Sequence, residues 1–470
     1  MVNCGTKKPY VQTIGASATG VTQSCYIVRY KKYVIMLDCG LYQESDIATN
    51  YKKNQKLLKK VNYREIDWII LHECHIDHIG LLPALYARGC QAHLYAPYGS
   101  KILLRLLWED SLKIMIQDCT KLQNAGYKAS PFYSQEDIEK ALNRVIEVGY
   151  SNYNSSPVVE YLNEDIKLIY YPANHILYAC QVYLEFKCGY VIKRLGFTGD
   201  IGGKDTQLYC QDRIIMPYVN LLLGESTYSD KERRSNKKYD RAVDLQKIVN
   251  TISQSNKVLI PCFSLHRTQV ILTILYSLYK LKELNNDIII LVDSPLAQKI
   301  CNIWPSSEWQ DILNWDNIYW VDSWEESKEW QKSNQKFVVI SASGMLNGGR
   351  SVEWAKELLP DEKNSILFCG YSSENTLAYK IKNFEKSLNI NGSIVENKAN
   401  IVELKSFSSH ANYDELVEYY TQDCRFDKLI LVHGEMNNKV DFKTHLQDIL
   451  VEKGESARVI CANEDCKIYF

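Results

Sequence analysis

Three histidines and two carboxylates fall within seven positions of one run, Leu71-His72-Glu73-Cys74-His75-Ile76-Asp77-His78-Ile79-Gly80, directly behind the apolar stretch Trp68-Ile69-Ile70. Imidazole and carboxylate are the side chains that hold zinc and neighbouring divalent ions. A polar cluster at the end of a buried strand must find partners or stay in water. The run is therefore read as a metal site.

Such a site needs elements that bring distant ligands to it, and the chain repeats one pattern of strand followed by ligand. Tyr33 to Leu37 ends in Asp38, Ile66 to Leu71 in the opening cluster, Lys167 to Pro172 in Asn174-His175, Leu195 to Thr198 in Gly199-Asp200, and Lys428 to Val432 in His433-Gly434. One strand ending in Asp-Gly is an ordinary turn. Five strands carrying Asp or His at the same end imply a shared site at one edge of the sheets. Val11 to Ile14 and Cys25 to Tyr30 read as a hairpin around the small residues 15–20, and Ser100 to Asp118 as a helix, while 128–164 are mixed and polar and assign nothing. From about residue 209 the pattern changes to alternating strands and helices, with strands expected at 219–223, 258–260, 288–292, 337–340 and 366–368. That is the signature of a doubly wound parallel sheet, inserted into the first domain because the earlier grammar resumes after about residue 395.

With 470 residues, two domains are expected. Lys plus Arg (55) balance Asp plus Glu (56), so a nucleic-acid partner must be held by a local patch. The 15 cysteines include no CxxC pair and the N-terminus has no apolar leader, which suits reduced thiols and a cytoplasmic location. No apolar run approaches the roughly 20 residues of a membrane span, so no membrane partner is expected. Lys52 to Lys60 read as a solvated helix face rather than a nucleic-acid patch. Lys231, Arg233, Arg234, Lys237 and Lys238 form the best local basic patch, and read equally as a solvated loop.

His75-Ile76-Asp77-His78, with Asp38 before it and His175 and Asp200 after it, resembles the metallo-β-lactamase superfamily and its αββα sandwich. Gly224-Glu225-Ser226-Thr227-Tyr228, Ile260 to Gln269, Asp293 to Ala297, Ile340 to Met345, Ser406 to Ala411 and Leu431 to Glu435 resemble the β-CASP nucleases, the family of ribonuclease J and the pre-mRNA 3′-end cleavage endonuclease. Because the chain ends soon after His433, it looks most like the short prokaryotic type. The resemblance implies an α/β fold, an αββα metallo-β-lactamase sandwich (1–208 and 396–470) with an inserted doubly wound β-CASP domain (209–395). It implies hydrolysis of single-stranded RNA, with DNA as the alternative substrate, by a two-metal-activated hydroxide that leaves 5′-phosphate and 3′-hydroxyl ends. Exonuclease and endonuclease modes stay open, as does a homodimer.

Carried over residue by residue, the resemblance assigns His75 and His175 to one metal, Asp77, His78 and His433 to the other, and Asp200 to a bridge. Asp38 orients a ligand or the water, His410 protonates the leaving oxygen, and Glu225 holds the His410 imidazole. Arg267 and the Ser343-Gly344 turn are candidates for phosphate contacts. The chain departs from the pattern at the family's first histidine, where Glu73 stands. In an extended segment Glu73 and His75 share a face and His72 points away. Glu73 is expected as the ligand; a bulge that substitutes His72 and a weakened first site are the other two readings. Two divalent ions are implied, zinc foremost; a carboxylate at 73 favours harder ions and makes manganese the alternative. His266 stands where the family usually has glycine before Arg267. A catalytically weak RNA-binding or nuclease-partner scaffold is the alternative to an enzyme, and Glu73 is its only support.

Overall fold

The computed structural model describes residues 8–150, 157–204, 213–234, 240–306, 309–370, 372 and 376–470. The chain forms two compact units, one from residues 1–206, 210–234 and 409–470, the other from 207–209 and 235–408.

The first unit is built on two seven-stranded sheets. In one, the strands run in the order Lys467–Tyr469, Tyr10–Thr13, Tyr26–Tyr30, Tyr33–Leu37, Trp68–Ile70, His93–Pro97 and Val145–Val148. In the other the order is Arg458–Cys461, Phe426–Val432, Val219–Glu225, Val191–Phe197, Cys180–Cys188, Ile166–Pro172 and Val159–Tyr161. Alternate residues from both sheets share one core: Val28, Ile35, Leu37 and Ile70 meet Leu168, Tyr170, Val182, Leu184, Leu221, Leu223, Ile430 and Val432. Because side chains alternate along a strand, a slip by one residue would turn every such side chain away from this core, which fixes register. Each fully buried aliphatic side chain contributes about 1.5–3 kcal/mol.

Strand direction delivers the ligands. Tyr33–Leu37 and Trp68–Ile70 are parallel, so Asp38 and the His72–His78 run leave the first sheet at one edge. Val191–Phe197, Val219–Glu225 and Phe426–Val432 are mutually parallel, so Asp200, Glu225 and His433 leave the second sheet together. Ile166–Pro172 is antiparallel to Cys180–Cys188, itself antiparallel to Val191–Phe197, which brings His175 to that same edge.

Three expectations need correction. Val219–Glu225, expected to open the inserted domain, pairs with strands of the second sheet, and the units divide after residue 234 and before 409 rather than at 209 and 395. Both strands and helices occupy 128–164: Gln135–Leu142 is a helix whose Ser134 cap accepts from Asp137 N–H, followed by Val145–Val148 and Val159–Tyr161. Helix Ser100–Asn124 runs a turn and a half past Asp118. In helix Ile47–Lys60 the lysines at 52, 53, 56, 59 and 60 are exposed, whereas Asn54, Leu57 and Leu58 are buried.

The second unit holds an all-parallel six-stranded sheet in the order Ile318–Trp320, Ile290–Asp293, Phe337–Ser341, Lys257–Pro261, Ser365–Phe368 and Asn400–Glu403. Its own core gathers Leu259, Leu291, Val339, Trp354, Ile366 and Phe368. Asp293, at a strand's end, is fully buried and accepts from Trp354 Nε1–H at 2.7 Å and from Ser327 and Arg350.

Candidate metal centre

Asp38, the residue after strand Tyr33–Leu37, turns back with φ of 55° and is wholly buried. Its Oδ2 accepts from Ser24 Oγ–H at 2.9 Å and from His78 Nδ1–H at 2.9 Å. A carboxylate only accepts, so this bond keeps the His78 proton on Nδ1 and turns the Nε2 lone pair outward. Nε2 lies 3.3 Å from Asp77 Oδ2, 3.4 Å from Asp200 Oδ2 and 3.6 Å from Glu73 Oε1. His175 is set the same way: Nδ1–H donates to the Ser409 carbonyl at 3.1 Å, and Nε2 faces Glu73 Oε2 at 3.5 Å and Asp200 Oδ2 at 3.8 Å. His433 Nδ1 meets Thr227 Oγ1 at 2.9 Å, which leaves Nε2 3.3 Å from Asp77 Oδ2. His75 Nδ1 faces Glu73 Oε1 at 2.8 Å.

These residues form overlapping clusters, Glu73 with His75 and His175, Asp77 with His78 and His433, and Asp200 with members of both. Four ligands about 2.1 Å from one ion stand roughly 3.4 Å apart. Separations of 3.3–3.8 Å among Asp77, His78, His175, Asp200 and Glu73 are of that size, and too long for good hydrogen bonds. His78 Nε2, His175 Nε2, Glu73 Oε2 and Asp200 Oδ1 are buried without a hydrogen-bond partner among the described residues. Buried polar atoms normally have partners. Divalent cations fit here because they would satisfy these atoms, Glu73 and His175 in one cluster and His78 in another, with Asp200 reaching both.

Charge within the cluster is mutually reinforced. Burial alone would raise Asp77 and Asp200, but His78 and His433 hold both carboxyls well below the usual range. Burial pulls His433 down, yet Asp200 and Asp77 carry it up to about 9. Burial dominates at His175 and lowers it to about 3.

His410 stands beside the cluster. Its Nδ1 is 3.3 Å from both oxygens of Glu225, and its Nε2 is 3.9 Å from Asp200 Oδ2. Glu225 is fully buried and over-determined: Oε1 accepts from Ile201 N–H at 2.6 Å, its N–H donates to Thr198 Oγ1 at 3.0 Å, and its carbonyl accepts from Tyr420 O–H at 2.8 Å. Burial pulls His410 down, while Glu225 and Asp200 outweigh it and raise its pKa.

Residues 18–112 match the metallo-beta-lactamase superfamily, residues 268–381 the Beta-Casp domain, and residues 394–460 the Zn-dependent metallo-hydrolase RNA specificity domain. The chain thus carries metallo-β-lactamase, Beta-Casp and RNA specificity domains. Among its relatives, Ribonuclease TTHA0252 of Thermus thermophilus is 29% identical over 89% of this chain and 92% of its own. Transcription termination factor FttA of Methanocaldococcus jannaschii is 27% identical over 90% of this chain and 67% of its own, and the RNase J-like protein of the same organism is 26% identical over 90% and 92%. A crystal structure of a protein of unknown function from Enterococcus faecalis, 13% identical, shares the fold with a TM-score of 0.52 over 99% of this chain and 100% of that one.

The structure brings together Asp38, Glu73, His75, Asp77, His78, His175, Asp200, Glu225, His410 and His433. Arg267, Ser343 and Gly344 lie in the other unit. Arg267 is buried, donates from Nη1 to the Cys369 carbonyl, and keeps Nε without a partner among the described residues. A Cβ on Gly344 would lie 3.3 Å from Phe263 N, so the Ser343-Gly344 turn rests against the segment that leads to Arg267. Lys231 is paired with Asp441 at 2.7 Å and Arg233 stacks over Tyr228 at 3.5 Å, while Lys237 and Lys238 lie outside the described residues. Thr227, Ser409 and Ser24 orient the cluster without having been singled out in the sequence. Two of them act through a hydroxyl and one through its carbonyl, which no side-chain pattern reveals. Among the described residues no helix is long and apolar enough to cross a membrane.

Proposed function

We propose that this protein is a metal-dependent ribonuclease that hydrolyses phosphodiester bonds of single-stranded RNA and leaves 5′-phosphate and 3′-hydroxyl ends. The observation that carries this reading is the convergence of buried, unpartnered His78 Nε2, His175 Nε2, Glu73 Oε2 and Asp200 Oδ1 beside the His410–Glu225 pair. The match to an RNA specificity domain and the ribonuclease name of a relative support RNA as substrate.

Glu73, His75 and His175 would hold one divalent ion, Asp77, His78 and His433 a second, and Asp200 would serve both. Zinc suits the family and manganese suits the added carboxylate. When bound, the ions supply Lewis acidity that makes water a nucleophile at neutral pH and offsets phosphate charge. Asp38, Thr227 and the Ser409 carbonyl keep His78, His433 and His175 in the tautomer whose lone pair faces inward. Glu225 receives the Nδ1–H of His410, so the opposite nitrogen, which faces the centre, can hand a proton to the departing 3′ oxygen. Arg267 Nε–H and the backbone at Gly344 offer donors to phosphate in the inserted unit.

The test is metal analysis together with cleavage of 5′-labelled single-stranded RNA and DNA by the wild type and Asp77→Ala. The wild type should contain metal and cut RNA, and the variant should lose at least about 100-fold in rate. A mononucleotide ladder indicates an exonuclease and internal fragments an endonuclease. A wild type without metal and without metal-dependent cleavage overturns the reading.

A further inference from the structure

Two adjacent residues set this centre apart from the pattern the chain otherwise follows. Glu73 is fully buried, with its carboxylate 2.8 Å from His75 Nδ1, 3.5 Å from His175 Nε2 and 3.6 Å from His78 Nε2. It sits at the place of an imidazole. With Asp200 shared, each metal position then has two imidazoles and two carboxylates, His75 and His175 with Glu73 at one, His78 and His433 with Asp77 at the other. Three carboxylates against four positive charges leave one net positive charge, where a neutral histidine at 73 would leave two.

His72 stays outside the Glu73 and Asp77 clusters and groups instead with Asp38 and His78. It is wholly buried on the opposite side, with Nδ1 2.8 Å from Asp38 Oδ2 and Nε2 accepting from Asp200 N–H at 3.2 Å. Its ring meets His78 edge-on at 4.4 Å and Phe197 at 5.1 Å. A Cβ on Gly199, whose φ is 53°, would lie 1.9 Å from His72 Cδ2, so the ring fills space that only glycine leaves open. His72 thus links the carboxylate that orients His78 to the backbone of the aspartate both positions share.

We propose that this pair sets the metal preference of the centre: Glu73 as an anionic ligand that shifts the first position toward hard divalent ions such as Mn²⁺, and His72 as the positioning residue that holds Asp38 and Asp200 to that ligand set. The inference rests on the two-metal reading above. Zn²⁺ binds mixed nitrogen and oxygen sites more tightly than Mn²⁺ whatever the ligands, so the preference is a matter of ratio. Replacing a carboxylate by an imidazole widens the gap in favour of Zn²⁺; loosening a residue that only positions the ligands weakens both ions alike.

The experiment titrates the metal-stripped full chain with Mn²⁺, followed by electron paramagnetic resonance of the unbound ion, and with Zn²⁺ against a chromophoric chelator. Wild type, Glu73→His, Glu73→Gln and His72→Ala are compared. Glu73→His should raise the Zn²⁺ to Mn²⁺ affinity ratio by on the order of tenfold or more. Glu73→Gln, which keeps the shape and removes the charge, should move the ratio the same way and serves if the histidine variant fails to fold. His72→Ala should weaken both ions by roughly 10–100-fold with the ratio unchanged. If wild type binds two ions and neither Glu73 variant changes the ratio, or if His72→Ala binds as wild type does, the proposal is overturned while the two-metal reading stands. If wild type binds neither ion, the two-metal reading itself falls.

Discussion

The imidazoles of the centre are poised to exchange protons for metal. Burial pulls His78 and His433 down, but Asp77 and Asp200 outweigh it, raising His78 well above its ordinary value and His433 to about 9. In the metal-free chain both therefore carry a proton at pH 7, and both must lose it to become ligands. A raised folded-state pKa gives the metal-free fold stability that is fully present below about pH 6.5, the unfolded value, and is lost as pH rises through about 9. Metal affinity runs the opposite way and increases over that interval. We expect calorimetric titrations with Zn²⁺ at pH 7, in buffers of different ionisation enthalpy, to report at least one proton released per chain, and fewer at pH 9. Proton release that is zero at pH 7 would place these imidazoles already neutral.

At the scale of elements, the turn that starts helix Arg267–Lys280 carries strain. His266 has φ of 69° and ψ of −56°, and the Leu265 carbonyl accepts from Arg267 N–H at 2.9 Å, which closes a γ-turn about a residue with a Cβ. Such a conformation costs about 1–3 kcal/mol for a non-glycine residue. His266→Gly should stabilise the protein by about 1 kcal/mol, seen as a rise of about 2–4 °C in the melting of its unit. An unchanged or lower midpoint would mean that ring contacts such as that with Trp304, centroids 6.4 Å apart, outweigh the strain. The same γ-turn marks what a sequence can convey. A histidine in a glycine's place announces itself, but whether the backbone keeps the glycine conformation is decided by neighbouring hydrogen bonds. The ligand-bearing strands were legible because burial on both faces makes each an apolar run and each is followed by Asp or His. Val219–Glu225 reads as part of the insertion because the pattern changes at about 209 and one of its two partners, Phe426–Val432, lies far away in sequence. Residues 128–164 were opaque because helix Gln135–Leu142 is only 8 residues long and Val159–Tyr161 is short and partly exposed, so each offers too few positions for its period to be read. His72 could be seen to point away from Glu73 by alternation alone; its closeness to Asp38 and its bond from Asp200 N–H could not.

For the molecule as a whole, the candidate ligands all come from one unit. Glu73, His75, Asp77, His78, His175, Asp200 and His433 fall within 1–206 and 409–470, and the cluster therefore joins the edges of both seven-stranded sheets. The six-stranded sheet has its own core of Leu259, Leu291, Val339 and Trp354 and contributes none of these candidate ligands. An ion that binds only the native centre stabilises what its ligands span, by about 2.7 kcal/mol for each site at a free concentration 100 times its Kd. Hydrogen exchange with and without Zn²⁺ should therefore gain protection in Tyr33–Leu37, Val219–Glu225 and Phe426–Val432, which lead into ligands or into Glu225. Lys257–Pro261 and Phe337–Ser341 should exchange as before, because their opening exposes the second core and breaks no ligand bond. Equal gains in both sets would mean that the two units open as one cooperative body, and that the metal centre then governs the stability of the inserted sheet as well.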